Sequence, residues 1–364
     1  MTELGSTKVL LSVYVLSDGG SAVKSRGVCW SLSDNPSVSG SRTSEGPGIG
    51  SFSTEIRELA PLTTYYVRSY AENRAGTGYS KVTSFTTGRY EVRLSTQNIS
   101  SITDNSAVSG GEVIAETGAL ITARGVCWGK NMPPTLNDNK TTDGTGPGWF
   151  SSNIKGLEPG TTYYAASYAT CNGFTDYGWI ETFKTYDGTL TDADLHIYYS
   201  IKIGNQEWMS SNLKVTKYNN GEVIGTTTPA TLDIQAIESP RYQWPSAGND
   251  NNVNGFGRLY TWYAATDARK LCPAGWHLPS DGEWAVLAAG MTGNDAIRFN
   301  TKPAGYRLSN GIFSQFEQTA RWWSSTDFSA AEAYGRYCDD IDVPPKRTSS
   351  NSKKDGLSVR CVRD

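Results

Sequence analysis

The chain has little of the raw material on which most enzymatic chemistry depends. Its 364 residues include only two histidines, His196 and His277, and no G-x-S-x-G or H-E-x-x-H segment. A serine-hydrolase triad or a zinc-hydrolase site needs histidine in such a setting. The six cysteines form no C-x-x-C pair, which disfavours zinc. We therefore expect no enzyme and no catalytic residues, and we assign His277 a structural role.

Charge imbalance and long apolar runs are also missing. The 33 basic and 36 acidic residues give a net charge of -3, so nucleic acid is not an expected partner. No run approaches the roughly 18 apolar residues of a membrane span. The start, Met1-Thr2-Glu3-Leu4, lacks the charged and apolar parts of a signal segment, which we expect to have been removed from this chain.

The residue types that are abundant in the chain indicate β-structure. The chain holds 38 Gly, 20 Tyr and 11 Trp against 4 Met, a composition that suits short strands joined by many turns. Its length exceeds what one hydrophobic core usually serves, and we expect three domains.

A tandem repeat organises the first half. Arg26-Gly27-Val28-Cys29-Trp30 recurs as Arg124-Gly125-Val126-Cys127-Trp128, and the segment from Leu59 to Tyr66 recurs from Leu157 to Tyr164, at a constant spacing of 98 residues. Apolar residues alternate within each unit, as in Leu11, Val13 and Val15, which predicts strands with one buried face.

Each unit has the size and turn spacing of an immunoglobulin-like sandwich. The L-x-P-x-T-x-Y segments place Tyr65 and Tyr163 where such folds have a corner tyrosine. The units resemble fibronectin type III domains of bacterial surface proteins, which implies all-β sandwiches at 1–88 and 89–186. The second unit has an additional strand candidate at 91–98, whereas the first begins at Lys8; we expect the first to have lost its opening strand to truncation.

The cysteines fall into three groups. Cys29 and Cys127 are equivalent in the repeat and are expected to be buried free thiols. A bridge between Cys272 and Cys361 would close the C-terminal domain and agree with export to an oxidising compartment; two reduced thiols are the alternative. Cys171 and Cys338 are left unassigned.

Residues 187–364 differ in composition from the two repeat units, and we expect an α+β domain there. Helices are predicted over Gly257–Ala265 and after Ser280, which forms a capping box with Glu283. The ordered motifs resemble the Fibrobacter succinogenes major paralogous domain. They are Gly204–Met209, Asn212-Leu213, Gly257–Trp262, Cys272–Pro279, Trp323–Thr326 and Ser358–Val362.

One of these motifs has a second resemblance. Trp276–Ser280 with Glu283-Trp284 looks like a segment of formylglycine-generating enzymes, which implies a C-type-lectin-like core. That enzyme's late redox-active cysteines have no counterpart in Cys338 or Cys361, so its activity is not implied.

Aromatic and acidic residues supply the candidate binding site. Trp322, Trp244, Tyr242 and Tyr306 could offer flat rings to a sugar, with core packing as the competing interpretation. The carboxylates of the following loop could hold calcium and sugar, or could be ordinary solvated charge. They are Asp339, Asp340 and Asp342.

A second candidate calcium site begins at Asp250. Asp250, Asn252 and Asn254 place oxygen atoms at alternating positions, as in the first half of an EF-hand loop. Arg258 and Thr261 stand where the later ligands would be, and an Asx-rich turn is the alternative.

These patterns favour a monomeric, non-enzymatic adhesion or lipoprotein-type surface protein, located outside the cell or on its outer surface. Two sandwiches would form a stalk that presents the last domain to a glycan or a surface protein, with no cofactor other than calcium. The alternative is a structural or assembly component of a fimbria-like or envelope complex, for which an exposed apolar strand edge would be the sign. An enzyme would require a deep pocket with converging polar groups in residues 195–364.

Overall fold

The first half of the chain forms two sandwiches of two β-sheets each. The second half contains several small sheets and short helices. The computed structural model describes residues 3–339 and 344–364, apart from the side chains of residues 293 and 294.

The first sandwich consists of a three-stranded and a five-stranded sheet. The strand orders are β1-β2-β5 and β4-β3-β6-β7, with β8 also paired to β6. The strands are β1 (Glu3–Leu4), β2 (Val9–Val15), β3 (Ser25–Ser31), β4 (Ser41–Arg42), β5 (Gly50–Ile56), β6 (Thr64–Asn73), β7 (Gly76–Tyr79) and β8 (Thr83–Thr86).

The second sandwich has the same plan. Its sheets run β9-β10-β13 and β12-β11-β14-β15, with β16 also paired to β14. The strands are β9 (Val92–Thr96), β10 (Ser106–Ala115), β11 (Ile121–Gly129), β12 (Asn139–Lys140), β13 (Gly148–Lys155), β14 (Thr162–Cys171), β15 (Phe174–Tyr177) and β16 (Glu181–Lys184).

The repeat in sequence is also a repeat in register and in detail. Val9 pairs with Ile56 just as Ala107 pairs with Ile154. The corner tyrosine is confirmed in the second unit, where the backbone N–H of Glu158 donates to the Tyr163 hydroxyl at 3.0 Å. The first unit has the same contact, between Ala60 and Tyr65, at 2.9 Å. These tyrosines therefore fix the corner of each sandwich and serve the scaffold.

The two sandwiches differ at one sheet edge. In the second, β9 pairs with β10 over Gly111–Ala115. In the first, β1 pairs with β2 only at Val9 and Leu10. The side chains beyond that short pairing are open to solvent, with Tyr14 65% and Leu16 87% exposed.

The C-terminal region combines short strands with short helices. Its largest sheet has the order β17-β18-β19-β29-β22. The strands are β17 (Gly188–Thr191), β18 (Ile197–Ile203), β19 (Gln206–Met209), β20 (Gln243–Pro245), β21 (Arg258–Tyr260), β22 (Trp276–His277), β23 (Tyr306–Arg307), β24 (Phe313–Ser314), β25 (Ala320–Asp327), β26 (Glu332–Cys338), β27 (Lys346–Arg347), β28 (Asn351–Ser352) and β29 (Val362–Arg363). The α-helices are α1 (Val253–Phe256), α2 (Trp262–Ala265), α3 (Asp281–Gly290) and α4 (Gly293–Phe299), and two 3-10 turns cover Ser246–Gly248 and Asp250–Asn252.

The structure confirms one of the two predicted helix starts and corrects the other. The capping box before α3 is confirmed, since Ser280 and Glu283 each accept the other's backbone N–H. The helix predicted over Gly257–Ala265 is wrong in its first half, where Arg258–Tyr260 pairs with β20. Gly257 has a φ of 79°, which interrupts a helix, and helical geometry begins only after Thr261 caps α2.

The cysteine predictions hold where the structure tests them. Cys272 and Cys361 form a disulfide across 89 residues of sequence. Cys29 and Cys127 are buried free thiols, and burial raises the pKa of Cys127 to about 11. Cys171 is also a buried free thiol, and Cys338 is buried.

Candidate functional site

Trp322, the first of the proposed sugar-binding aromatics, is a core residue. It has no exposed surface, and its ring lies 5.7 Å from that of Trp284 and 6.0 Å from that of Phe299. Its indole N–H donates to Asn212 at 2.8 Å. The prediction of a sugar platform at Trp322 is therefore corrected, because the ring packs within an aromatic cluster.

Trp244 is buried in the same way. It is 0% exposed, its indole N–H donates to Thr227 at 2.8 Å, and the Arg307 guanidinium lies 4.0 Å from its ring centre. It too is removed from the candidate platform. Tyr242 and Tyr306 are only partly buried, with the Tyr242 ring 5.9 Å from Trp244 and the Tyr306 ring 4.0 Å from the Arg321 guanidinium.

The acidic loop is only partly within the described residues. Asp339 follows β26 and is exposed. Asp340 and Asp342 lie outside the described residues, so a calcium or sugar site built on this loop stays a prediction.

The structure favours a turn at the second calcium candidate. Asp250 is paired with Arg258 at 3.3 Å, and Asn254 accepts from Lys214 at 3.4 Å. Asn252 uses its amide N–H to reach the Ser246 carbonyl at 3.0 Å. Two cations thus contact two of the three groups proposed as ligands, which favours the Asx-rich turn, and calcium binding by this loop stays a prediction. Across residues 3–339 and 344–364, no group of three or more His, Cys, Asp or Glu side chains could hold a metal ion.

A concave site lies instead beside the disulfide. It is a depression of about 360 Å³ between α2, the disulfide and β22. Pockets of this size with an apolar floor and a few polar groups are the usual form of small-ligand sites. Its lining comprises Trp262, Ala265, Thr266, Asp267, Ala268, Lys270, Leu271, Cys272, Trp276, His277, Leu278 and Ser325.

Trp262 is the partly exposed tryptophan of this depression, whereas Trp276 is buried. Thr261 caps α2 and so fixes the start of the helix at Trp262. The indole N–H of Trp262 donates to the Ser324 carbonyl at 3.0 Å, and the Lys353 ammonium lies 4.1 Å from its ring centre. The ring is half-buried, so the fold holds it in one orientation and leaves part of it accessible.

One wall of the depression carries a fixed negative charge. Asp267 is bound by Arg269 at 2.8 Å and by Arg241 at 2.5 Å. Hydrogen bonds from Arg269 hold the pKa of Asp267 well below its usual range, despite the opposing effect of burial. The carboxylate is therefore ionised at any physiological pH and its orientation is fixed by two arginines.

His277 joins the opposite rim to the end of the chain. Its Nδ1 lies 2.7 Å from Asp364 and its Nε2 lies 2.8 Å from Glu283. Partial burial lowers the pKa of His277, but the two carboxylates outweigh it and leave the pKa above its ordinary value. Because both ring nitrogens are engaged, neither is available as a base to the Ser325 hydroxyl in the same depression.

This cluster predicts a pH-dependent stability. The pKa of His277 is higher in the folded state than in the unfolded state. Its contribution to the free energy of unfolding is therefore complete below the unfolded-state pKa of about 6.5, and it is lost as the pH rises through the folded-state pKa. Wild type should exceed His277→Gln in stability at pH 6 by no more than about 1 kcal/mol, since all three groups are partly exposed. Urea unfolding at pH 6 and pH 9 measures the difference, and a gap that is the same at both would contradict this account.

Sequence reasoning missed Trp262 because it predicted only a helix over Gly257–Ala265 and named no residue of that segment as a candidate site. Half-burial depends on what the other elements leave uncovered, and no local pattern reports it. The nearest signal was the run of motifs around Trp262 and Trp276, both of which line the depression.

Comparison with known families supports part of the expected layout. The family model of the Fibrobacter succinogenes major domain matches residues 201–297. That range contains Trp262, His277 and helix α3, whereas the Trp323–Thr326 and Ser358–Val362 motifs fall outside it. No curated protein matches this chain.

Several solved structures are similar to part of the chain. A two-domain fibronectin type III segment of chicken tenascin is 18% identical, covers 50% of this chain and 95% of its own, and gives a TM-score of 0.32. The FN1–FN3 domains of chicken CNTN1 are 14% identical and cover 50% of this chain and 64% of their own, with a TM-score of 0.24. The sensor domain of the anti-sigma factor RsgI4 from Pseudobacteroides cellulosolvens is 24% identical, covers 26% and 93%, and gives 0.21.

In the part of the chain that the structure covers, no helix is both long and apolar enough to cross a bilayer.

Proposed function

We propose that this chain is a non-enzymatic binding protein of the cell exterior, in which two sandwiches carry a C-terminal domain that binds a glycan or a surface protein. The observation that carries the proposal is Trp262, a half-buried ring anchored at Ser324 in a depression with a polar rim. An aromatic ring held in this way can stack on the apolar face of a sugar while rim groups bind its hydroxyls.

The rim supplies hydrogen-bonding groups of both kinds. Lys270 can donate, and the Thr266 hydroxyl, which itself donates to the Trp262 carbonyl at 2.9 Å, can accept. A ligand with several hydroxyl groups suits such a rim better than an apolar ligand would. A protein loop rich in serine and threonine offers the same chemistry.

Two further features support the exterior location and the lack of catalysis. The Cys272–Cys361 disulfide is typical of proteins that mature in an oxidising compartment. The histidine of the depression has both nitrogens bound to carboxylates, so it lacks the free nitrogen that a nucleophilic mechanism needs. A C-type-lectin-like core is part of this proposal, and the bridge between the segment preceding α3 and the last strand region agrees with it.

A glycan array probed with the full chain, in calcium and in chelator, tests the proposal. Trp262→Ala should weaken binding of any glycan found by at least about tenfold, as expected for truncation of an aromatic anchor. Trp149→Ala is the matched control, because Trp149 is 60% exposed on the second sandwich and far from the depression in sequence. Asp339→Asn tests whether the acidic loop makes binding depend on calcium.

Two results would count against this function. The first is an array without specific binding in either buffer. The second is binding that Trp262→Ala and Trp149→Ala affect equally. Both would favour the second candidate, a structural or assembly component of a fimbria-like or envelope complex.

A further inference from the structure

Gly88 and Tyr186 occupy equivalent positions at the ends of the two sandwiches. They are separated by the 98 residues of the repeat. The backbone N–H of Gly88 donates to the Gly5 carbonyl at 3.0 Å, and that of Tyr186 donates to the Thr103 carbonyl at 3.1 Å. Each carbonyl also accepts a backbone hydrogen bond from its own sandwich. The two backbones are therefore held alike, and the difference between the two junctions begins with the side chain.

The Tyr186 side chain joins the second sandwich to the C-terminal domain. Its ring stacks on that of Tyr199 in β18, with ring centres 4.9 Å apart and planes inclined by 8°. The ring also packs against the C-terminal core cluster that contains Trp208 and Trp284. Because its backbone belongs to one part and its ring to the other, a rotation between the two parts would pull the ring out of this packing.

The backbone of the second junction is hydrogen-bonded from one domain into the next. The N–H of Thr185 donates to the Thr161 carbonyl at 3.1 Å, and the N–H of Asp187 donates to the Ser200 carbonyl in β18 at 2.9 Å. Strand β17 begins at the next residue. Residues 185–187 therefore cannot turn without breaking a backbone hydrogen bond.

Arg298 of helix α4 closes this junction from the side. It donates to the Thr185 carbonyl at 3.1 Å and to the Asp187 carboxylate at 2.6 Å. The Arg298 and Asp187 side chains are only 10% and 9% exposed. A pair shielded in this way is weakened less by solvent and salt than a surface pair. It holds α4 against the end of the second sandwich.

The first junction is built differently. Gly88 has no side chain to place in the next domain, and glycine has wide backbone freedom. Within the described residues, the N–H groups of Arg89 and Tyr90 make no backbone hydrogen bond. The Arg89 side chain pairs with Asp176, and the Tyr90 ring packs against the core of the second sandwich. Both linker side chains thus belong to the second sandwich, while Gly88 belongs to the first.

Side-chain contact across the first junction is loose. Pro61 and Leu62 of the first sandwich share a small void with Cys171 and Phe174 of the second. Leu62 is 51% exposed and Phe174 is 45% exposed. Such a contact buries little apolar surface, so it opposes rotation weakly.

We propose that the chain has one hinge and one lock. The first sandwich rotates about Gly88 and Arg89, whereas Tyr186 and Arg298 hold the second sandwich and the C-terminal domain as one body. The depression beside the disulfide then keeps a fixed direction relative to the second sandwich and changes direction relative to the first. Hinges of this kind are a few residues at the ends of elements that absorb the change in backbone angles. The proposal is independent of ligand binding, because it concerns motion of the ligand-free chain.

Distances between spin labels on the full chain test this proposal. Ser53→Cys and Ser151→Cys place labels at equivalent exposed positions of the two sandwiches, and Ala285→Cys places one on the exposed face of α3. The native cysteines are buried or bridged, so the introduced thiols take the label. In double electron–electron resonance, the distance distribution between positions 53 and 151 should be at least about twofold broader than that between 151 and 285.

Variants of the second junction test the lock. Tyr186→Gly gives this junction the residue of the first and should broaden the 151–285 distribution at least about twofold. Tyr186→Phe keeps the ring and is the matched control, which should leave the distribution narrow. Arg298→Met removes the donor to Thr185 and Asp187 and should also broaden it. Urea unfolding establishes that each variant is folded.

Two results would overturn the proposal. The first is a pair of distributions of equal width in the chain that carries only the labels, whether both are narrow or both are broad. The second is a 151–285 distribution that stays narrow in Tyr186→Gly and in Arg298→Met. If Tyr186→Gly fails to fold, the comparison of the two label pairs and the Arg298→Met variant decide.

Discussion

Loss of the Cys272–Cys361 bridge is expected to lower the free energy of unfolding of the C-terminal domain by about 4 to 5 kcal/mol. The bridge spans 89 residues, and closing a loop of that length restricts the unfolded chain by this amount in the chain-entropy model. The bridge also holds the segment before β22 next to the start of β29, and β22 and β29 pair with each other. Urea unfolding of the double variant Cys272→Ala, Cys361→Ala, followed by tryptophan fluorescence, measures the loss.

Cys127→Ala is the matched control for that experiment. Cys127 is equally buried but is a free thiol of the second sandwich, so its replacement should leave the C-terminal transition where it is. The transitions must be resolved separately, because a three-part chain need not unfold in one step. A loss of less than about 1 kcal/mol in the double variant would show that the bridge restricts the unfolded chain much less than the chain-entropy model expects.

Replacement of Arg360 by methionine is expected to cost about 3 to 5 kcal/mol. Arg360 is fully buried; it donates to the carbonyl groups of Phe299 and Asn300 and to Asn212 at 3.0 Å. Its guanidinium also lies 4.1 Å from the Phe299 ring centre. Burial lowers the pKa of Arg360 below its ordinary value, so these acceptors are what keeps the charge tolerable in the core.

The cost arises because methionine has similar volume but no donor. Each buried acceptor left without a hydrogen bond costs about 1 to 3 kcal/mol. Arg363→Met is the control, since Arg363 is 61% exposed and its ion pair with Glu207 should contribute no more than about 1 kcal/mol. Equal urea midpoints for the two variants would contradict the role assigned to Arg360.

The features that could be predicted from sequence are those that depend on neighbouring residues or on self-comparison. The repeat around Cys29 and Cys127 led to two sandwiches with equivalent corner tyrosines. The capping box at Ser280 required only residues three apart, and its helix begins as expected. Helix α2 was predicted to begin too early. Gly257 has a positive φ, and Arg258–Tyr260 pairs with another strand, which the local sequence pattern does not predict.

The candidate site was the least predictable part. Trp322, Trp244 and Trp262 are the same residue type in similar surroundings along the chain, yet two are fully buried and one lines a depression. The calcium candidate at Asp250 depends on distant residues in the same way, since Lys214 is one of the two cations that contact the proposed ligands.

The sequence by itself determined the duplicated β-units, the buried thiols of the repeat and the capping box at Ser280, because repetition is found by self-comparison and alternation and capping act between residues close along the chain. Tertiary structure alone decided which of Trp244, Trp262 and Trp322 remains accessible and which cation contacts Asn254. Both depend on the packing of segments far apart in sequence, because Trp262 is anchored at Ser324, Trp322 donates to Asn212, and Asn254 accepts from Lys214.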